Sequence, residues 1–241
     1  MLRLKTLGGL AVEGDQVPLV AASVRRHRLA LLAFVAAAGP RGTSRDKLLA
    51  YFWPESDTGH ARNCLKQAMF ALRHELRHDL FAPGASVLRL DPHAIAVDCW
   101  EFEHALERRA LRDAVDLYRG PFLDGFSLEG LAEFERWLER ERARLANGYQ
   151  VALETLVVHA EAAGDRLGAL EWWERLAKHD PLSSRIALRL MQAMVATGDR
   201  VGALRYGELH ARLLREELGT QPDTGERDFV AELREQVGLQ G

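Results

Sequence analysis

Two hydrophobic periods divide the chain into a mixed N-terminal part and a helical remainder. Apolar and polar side chains alternate with period two over Leu2–Leu7 and again on either side of Gly14-Asp15, which predicts a small antiparallel sheet. From Trp100 onward the apolar positions follow a helical period. We therefore predict an α+β chain with an N-terminal domain over 1–99 and an all-α domain over 100–241.

Three helices and a hairpin are predicted between the first strands and residue 99. In chain order they are a helix over about 23–38, a shorter helix over about 44–53, a longer helix over 57–79, and a hairpin whose strands SVLRL and AIAVD flank Asp91-Pro92-His93. A helix followed by a hairpin is the plan of a winged helix. In that plan the hairpin can contact the groove next to the one that the last helix enters.

The longest helix has one cationic edge and one apolar side. At 100° per residue, four cations fall within about 60° of one another, and we call them the basic edge: Arg62, Lys66, Arg73 and Arg77. Beside them is a row that we call the polar stripe: Asn63, Gln67, Phe70 and His74. The opposite side is apolar and predicts a core contact: Ala61, Cys64, Leu65, Ala68, Leu72 and Leu76. Cations suit phosphates and side-chain amides can pair with an adenine edge, so this face suits DNA, although solubility alone also explains many surface cations.

Charge is divided unevenly along the chain. The whole chain has a net charge of −3, but residues 1–99 hold 13 Lys and Arg against 9 Asp and Glu, which gives +4. Residues 100–241 hold the remaining 19 and 26, which gives −7. The electrostatic attraction for a nucleic acid is therefore expected in the first hundred residues. Arg26, in the first turns of the first helix, is either a further phosphate contact or a solvated residue.

The helical remainder contains an internal repeat. Gly164-Asp165-Arg166 with the following Gly-Ala-Leu recurs at Gly198-Asp199-Arg200, an offset of 34 residues that is the period of a tetratricopeptide repeat. Repeats of this kind stack into a curved surface that holds a peptide or another domain. The alternative is that they only pack against the N-terminal half.

The sequence also contains a possible zinc motif, because His74 and His78 belong to the pattern HExxH. The pattern lacks an obvious third ligand and shares His74 with the polar stripe, so a zinc hydrolase is the remote hypothesis. No cofactor motif is present, no apolar run is long enough to span a membrane, and the two cysteines are not spaced as a metal pair. We expect a cytoplasmic protein with no cofactor, no metal and no membrane partner.

The order of these segments resembles a known family. LRLKTLGGLAVEG, RRHRLALLAFVAAAGPRGTSRDKLLAYFWPE, ARNCLKQAMFALRHEL and VLRLDP together resemble the winged-helix, response-regulator output-like domain of Streptomyces antibiotic regulatory proteins. DAVDLYRGPFLDGF, EFERWLERERARL and LLREELGTQPD resemble the bacterial transcriptional activator domain that follows it in that family. Larger members add an ATPase or sensor module.

The resemblance implies a sequence-specific regulator of transcription that binds double-stranded DNA. Its third helix would enter the major groove and its hairpin would touch the minor groove, with Arg89 on the hairpin. The resemblance also implies direct-repeat sites, RNA polymerase as a partner and a possible homodimer on DNA. The competing hypothesis is a repeat-based adaptor whose winged helix docks protein rather than DNA.

Overall fold

The computed structural model describes residues 2–14, 22–84 and 86–238, and its contacts separate two compact units, Met1–Tyr149 and Gln150–Gly241. The described residues form these strands and helices in chain order: β1 (Leu2–Lys5), β2 (Ala11–Glu13), α1 (Ala22–Ala37), β3 (Thr43–Ser44), α2 (Arg45–Phe52), α3 (Thr58–Leu76), β4 (Val87–Leu88), β5 (Ile95–Val97), α4 (Asp98–Glu107), α5 (Leu111–Leu117), α6 (Ala132–Ala162), α7 (Arg166–His179), α8 (Ser184–Ala196), α9 (Arg200–Leu218) and α10 (Thr224–Gly238). Within the described ranges, every helix is too short or too polar to cross a bilayer. The predicted strand residues 17–20 lie outside those ranges.

The N-terminal sheet has the order β2-β1-β5. The antiparallel pairing of β1 with β2 confirms the prediction from period-two alternation, since Leu2 and Leu4 are buried while Arg3 and Lys5 are exposed. The third strand joins in parallel, with Leu2 opposite Ile95. A parallel neighbour needs a crossover, and α1, α2 and α3 lie in the chain between the two strands.

The predicted hairpin between SVLRL and AIAVD is wrong, because the two strands belong to different sheets. β4 pairs antiparallel with β3, whereas β5 pairs with β1. The chain folds back earlier instead, where Phe81 and Leu90 form an antiparallel bridge and the N–H of Ala82 donates to the carbonyl of Arg89 at 3.0 Å. We call residues 80–91 the fold-back segment.

The reason for this error is that alternation identifies a strand without identifying its partner. Asp91-Pro92-His93 makes a local turn, in which the carbonyl of Asp91 accepts the N–H of Ala94 at 3.0 Å and the Asp91 carboxylate accepts the N–H of His93 at 2.9 Å. This turn leads into β5 and the first sheet rather than back onto β4. The chain therefore reverses direction between Ala82 and Arg89, not at Asp91-Pro92-His93.

The core of the first unit extends well past residue 99. Phe34 of α1 lies 4.3 Å, centroid to centroid, from Trp137 of α6, and Phe52 of α2 lies 5.4 Å from Phe134. Trp100 also donates its indole N–H to a carbonyl in the last turn of α1 at 2.6 Å. The change to helical elements occurs at α4, close to the predicted position at residue 100. The two compact units divide later, after Tyr149, because these contacts join residues 100–149 to the N-terminal core.

The two Gly-Asp turns of the repeat have the same geometry. Gly164 and Gly198 both take positive φ, 71° and 96°, which a side chain would disfavour. In each turn the next residue, Asp165 or Asp199, caps the following helix by accepting a backbone N–H three residues later, at 2.9 Å and 2.8 Å. The predicted equivalence of the two turns is confirmed. Its assignment to the tetratricopeptide class stays a prediction.

Candidate nucleic-acid interface

Three local features position α3: a cap at its start, a left-handed residue just after its end, and an ion pair in its last turns. The Asp57 carboxylate accepts the backbone N–H of His60 at 3.0 Å, which caps the helix and lowers the pKa of that carboxyl. The helix ends at Leu76, and the next residue, Arg77, is left-handed with a φ of 52°. An ion pair between Arg28 of α1 and Glu75 of α3 has only 14% and 20% of its side-chain surface exposed, so it sets α3 against α1.

The two sides of α3 are placed as the sequence predicts. The apolar side is buried at Ala61, Leu65, Ala68, Leu72 and Leu76, and Cys64 is half-buried. All ten residues that we predicted to contact DNA are exposed: Arg26, Arg62, Asn63, Lys66, Gln67, Phe70, Arg73, His74, Arg77 and Arg89. Their contacts with DNA stay predictions.

The polar stripe lies opposite the core, and the basic edge lies to one side of it. With 100° per residue, the stripe residues fall within about 60° of one another and the buried residues are centred roughly 180° away. The basic edge is centred about 80° from the middle of the stripe. A helix that enters a groove with this stripe foremost presents the amides of Asn63 and Gln67 to base edges and brings its cations towards one phosphate strand.

Several residues of the basic edge share a cleft of about 570 Å³ with α2. The cleft is lined by Arg62, Lys66, Phe70 and Arg73 of α3, by Arg45 and Asp46 of α2, and by further residues that include Ser86. Sequence reasoning missed Arg45, whose guanidinium lies 3.6 Å from the sulfur of Met69. Its only sequence signal is a cation at the start of a helix, which says nothing about which cleft it lines.

Two carboxylates contact the basic edge. Asp79 accepts hydrogen bonds from Arg73 at 2.9 and 3.0 Å, and Asp46 lies 4.0 Å from Arg62. All four side chains are more than half exposed, so these pairs are weak and can be exchanged for phosphate contacts. No ion pair of Lys66 is found within the part of the chain that the structure describes.

The two predicted contacts outside α3 lie in different surroundings. Arg26 places its guanidinium 4.8 Å from the centre of the Phe126 ring and donates to the carbonyl of Ser127 at 3.3 Å, and it does not line the cleft. Arg89 lies in the fold-back segment with an exposed side chain. Of the two, Arg89 belongs to a segment that reaches the cleft, since Ser86 of the same segment lines it.

The HExxH pattern does not form a zinc site. Because α3 ends at Leu76 and Arg77 is left-handed, His74 and His78 do not share a helical face. His74 stacks on Phe70, and a ring nitrogen of His78 lies 2.9 Å from the carbonyl of Leu76. Among the described residues, no group of three or more His, Cys, Asp or Glu side chains is placed to hold a metal ion.

Sequence comparison assigns the helical part of the chain to a family. The family model described as "Bacterial transcriptional activator domain" matches residues 98–234, which is more than half of the chain. The chain belongs to the bacterial transcriptional activator domain family. Members of this family are regulators of transcription and not enzymes, which agrees with the predicted resemblance and with the geometry of the HExxH segment. No curated protein matches the chain in sequence.

A solved structure shows the same fold. Mycobacterium tuberculosis EmbR, determined in complex with a low affinity phosphopeptide, superposes with a TM-score of 0.60 at 20% sequence identity. The match covers 98% of this chain and 65% of the EmbR chain, so this chain spans less than two thirds of EmbR. At 20% identity the similarity shows that the two proteins share a fold. It does not show that they bind the same ligands.

Proposed function

We propose that this protein binds double-stranded DNA in a sequence-specific manner through α3 and activates transcription. The observation that carries the proposal is the exposed polar stripe of α3, directly opposite its buried side and flanked by the basic edge. Family membership supports the regulatory role, since the matching domain is that of bacterial transcriptional activators. Such a role is carried out in the cytoplasm, where the bacterial chromosome lies.

The N-terminal domain acts as a winged helix in this proposal. α2 and α3 supply the helix–turn–helix, and the fold-back segment supplies the wing in place of the hairpin expected from the sequence. Ser86 of that segment lines the same cleft as Arg62. Arg89 belongs to the same segment and has an exposed side chain. The wing thus reaches the phosphates next to the groove that α3 enters.

The helical domain supplies the contact with the transcription machinery. Its two equivalent Gly-Asp turns support a tetratricopeptide-like stack, and such stacks hold a peptide or a domain of another protein. We propose RNA polymerase as that partner. We also propose that two copies bind a direct repeat, one copy on each half-site.

The competing function is an adaptor whose winged helix docks protein instead of DNA. It predicts that the basic edge contributes nothing to duplex binding and that no sequence is enriched from a random pool. The two functions are therefore separated by one experiment on the full chain.

The test is selection of bound duplexes from a random pool with the full chain, followed by affinity measurements at two salt concentrations. We expect a direct repeat, with affinity falling steeply as salt rises. The double variant Lys66→Ala, Arg73→Ala should weaken binding by roughly 10-fold or more. Each phosphate contact releases about one counterion from the DNA, and the variant loses that favourable release at two positions. The matched control is Arg205→Ala with Arg212→Ala, which removes the same charge from exposed positions of α9. Equal effects of the two pairs would contradict the proposed interface.

A further inference from the structure

Phe70 is the most exposed large apolar side chain among the described residues of α3. Its relative exposure is 68%, and its ring stacks on His74 with centroids 6.4 Å apart and planes 25° apart. Hydrophobic stabilisation scales with the apolar area removed from water, so a phenyl ring in this position contributes little to folding. The exposed ring is therefore available to a bound partner.

The surroundings of Phe70 define the charge of that partner. Phe70 lines the cleft together with Arg62, Lys66 and Arg73, so a polyanion is attracted to the surface that carries the ring. The ring lies at the margin between the basic edge and the polar stripe. It belongs to the polar stripe, one helical turn from Gln67, and therefore points away from the core towards whatever lies along the helix.

These two facts select one chemical group on DNA. A phenyl ring gains nothing from a phosphate, whereas Asn63 and Gln67 on the same stripe suit base edges. Among the groups that the four base pairs present in the major groove, the 5-methyl group of thymine is the apolar one. We propose that Phe70 reads sequence by packing against a thymine methyl group. This inference rests on the proposed DNA-binding function and names one base that it recognises.

The test removes the methyl group without touching the protein. Each thymine of the selected duplex is replaced singly by uracil, which keeps base pairing and loses only the 5-methyl. In each half-site we expect one thymine whose replacement by uracil weakens binding of the unmodified protein. The expected loss is roughly four-fold, the factor for one buried methyl group. Phe70→Ala should bind the thymine and uracil duplexes equally, and Phe70→Leu, which keeps an apolar side chain, should retain part of the preference.

The control variant is Val158→Ala, which shortens an exposed apolar side chain on α6 and should leave the thymine preference unchanged. A thymine preference that survives in Phe70→Ala overturns the inference, as does a duplex in which no thymine responds to uracil. A change in the oligomeric state of free Phe70→Ala, with an unchanged thymine preference, assigns the ring to contact between copies instead. Absence of DNA binding by the unmodified protein removes the proposed function itself, and this inference with it.

Discussion

Asp98 accepts the backbone N–H of Thr6 at 2.8 Å and thereby joins the first residue of α4 to the segment after β1, across 92 residues of sequence. The same carboxylate accepts the N–H of Leu7 at 3.0 Å and its own helix's N–H at Cys99 at 2.8 Å. Asp98 and Thr6 are both buried. This one side chain therefore connects the N-terminal sheet to the first helix of the family-matched region.

Replacing Asp98 by Asn should lower the free energy of unfolding by about 2–3 kcal/mol, because the amide group puts N–H donors where backbone N–H donors need an acceptor. Urea denaturation measures the change. Asp113→Asn is the control, since Asp113 is likewise an acid in the first turn of its helix, α5, but is exposed. Equal losses in the two variants would mean that only the helix-terminal charge matters.

Gly42→Ala should destabilise the fold by about 2 kcal/mol or more and weaken DNA binding, because it displaces β4 and the wing. The φ of Gly42 is 66°, and a Cβ there would lie 2.5 Å from the carbonyl oxygen of Leu88. Gly39→Ala is the matched control, since Gly39 has a φ of 61° but no atom within 4 Å of its Cβ position. A larger drop in melting temperature is expected for Gly42→Ala than for Gly39→Ala, and a difference of zero would show that β4 adjusts freely.

Asp46→Asn should raise DNA affinity by roughly two- to five-fold at low salt, because it removes a carboxylate that lines the cleft with the basic edge. The gain should shrink as salt rises. Asp113→Asn serves again as a first-turn acid that does not line the cleft. Fluorescence anisotropy on the selected duplex measures the affinities. An unchanged or lower affinity for Asp46→Asn would mean that the DNA phosphates do not lie at this cleft.

Stability should fall as the pH drops below about 6.5, in part because of His27. The ring lies 5.3 Å from Phe52 and 5.4 Å from Trp53, its Nε2 is buried, and burial lowers the pKa of His27 from its ordinary value of 6.5. Below pH 6.5 the unfolded chain takes up a proton that the folded chain refuses, so the free energy of unfolding decreases until the folded pKa is reached. His27→Phe should show a smaller loss between pH 7.5 and 5.5 in urea denaturation. Parallel losses in both proteins would assign the pH dependence to other groups.

Gln67 and Arg77 should contribute differently to DNA binding. Gln67→Ala should cost roughly 1–3 kcal/mol on the preferred duplex and relax preference at particular base pairs, because its amide lies within the polar stripe. Arg77→Ala should weaken all sequences about equally and lower the salt slope by roughly one unit, because its side chain reaches a phosphate from the end of α3. Both variants are measured on the selected and a scrambled duplex at two salt concentrations. An equal loss for Gln67→Ala on both duplexes would remove Gln67 from the surface that reads bases.

Much of the candidate interface was predictable from the sequence, because it lies on one helix. Rotation by 100° per residue places Asn63 and Gln67 opposite Leu65 and Leu72 in any α-helix, and the structure needs only to bury the apolar side. The equivalence of the Gly164 and Gly198 turns was predictable for the same reason. A Gly-Asp turn and its cap are made by residues that are close in sequence.

The sequence by itself thus determined the helices, their exposed and buried sides, the two Gly-Asp turns and the family resemblance, all of which depend on short-range periodicity or local order. Only the tertiary structure decided that β4 pairs with β3 instead of β5, that Arg45 and Asp46 line a cleft with α3, and that residues 100–149 complete the N-terminal core. The physical reason is that strand pairing and core packing are chosen among distant segments with similar patterns, by how well side chains such as Phe34 and Trp137 fit together. The hydrophobic period of a segment does not specify which distant segment it pairs or packs with.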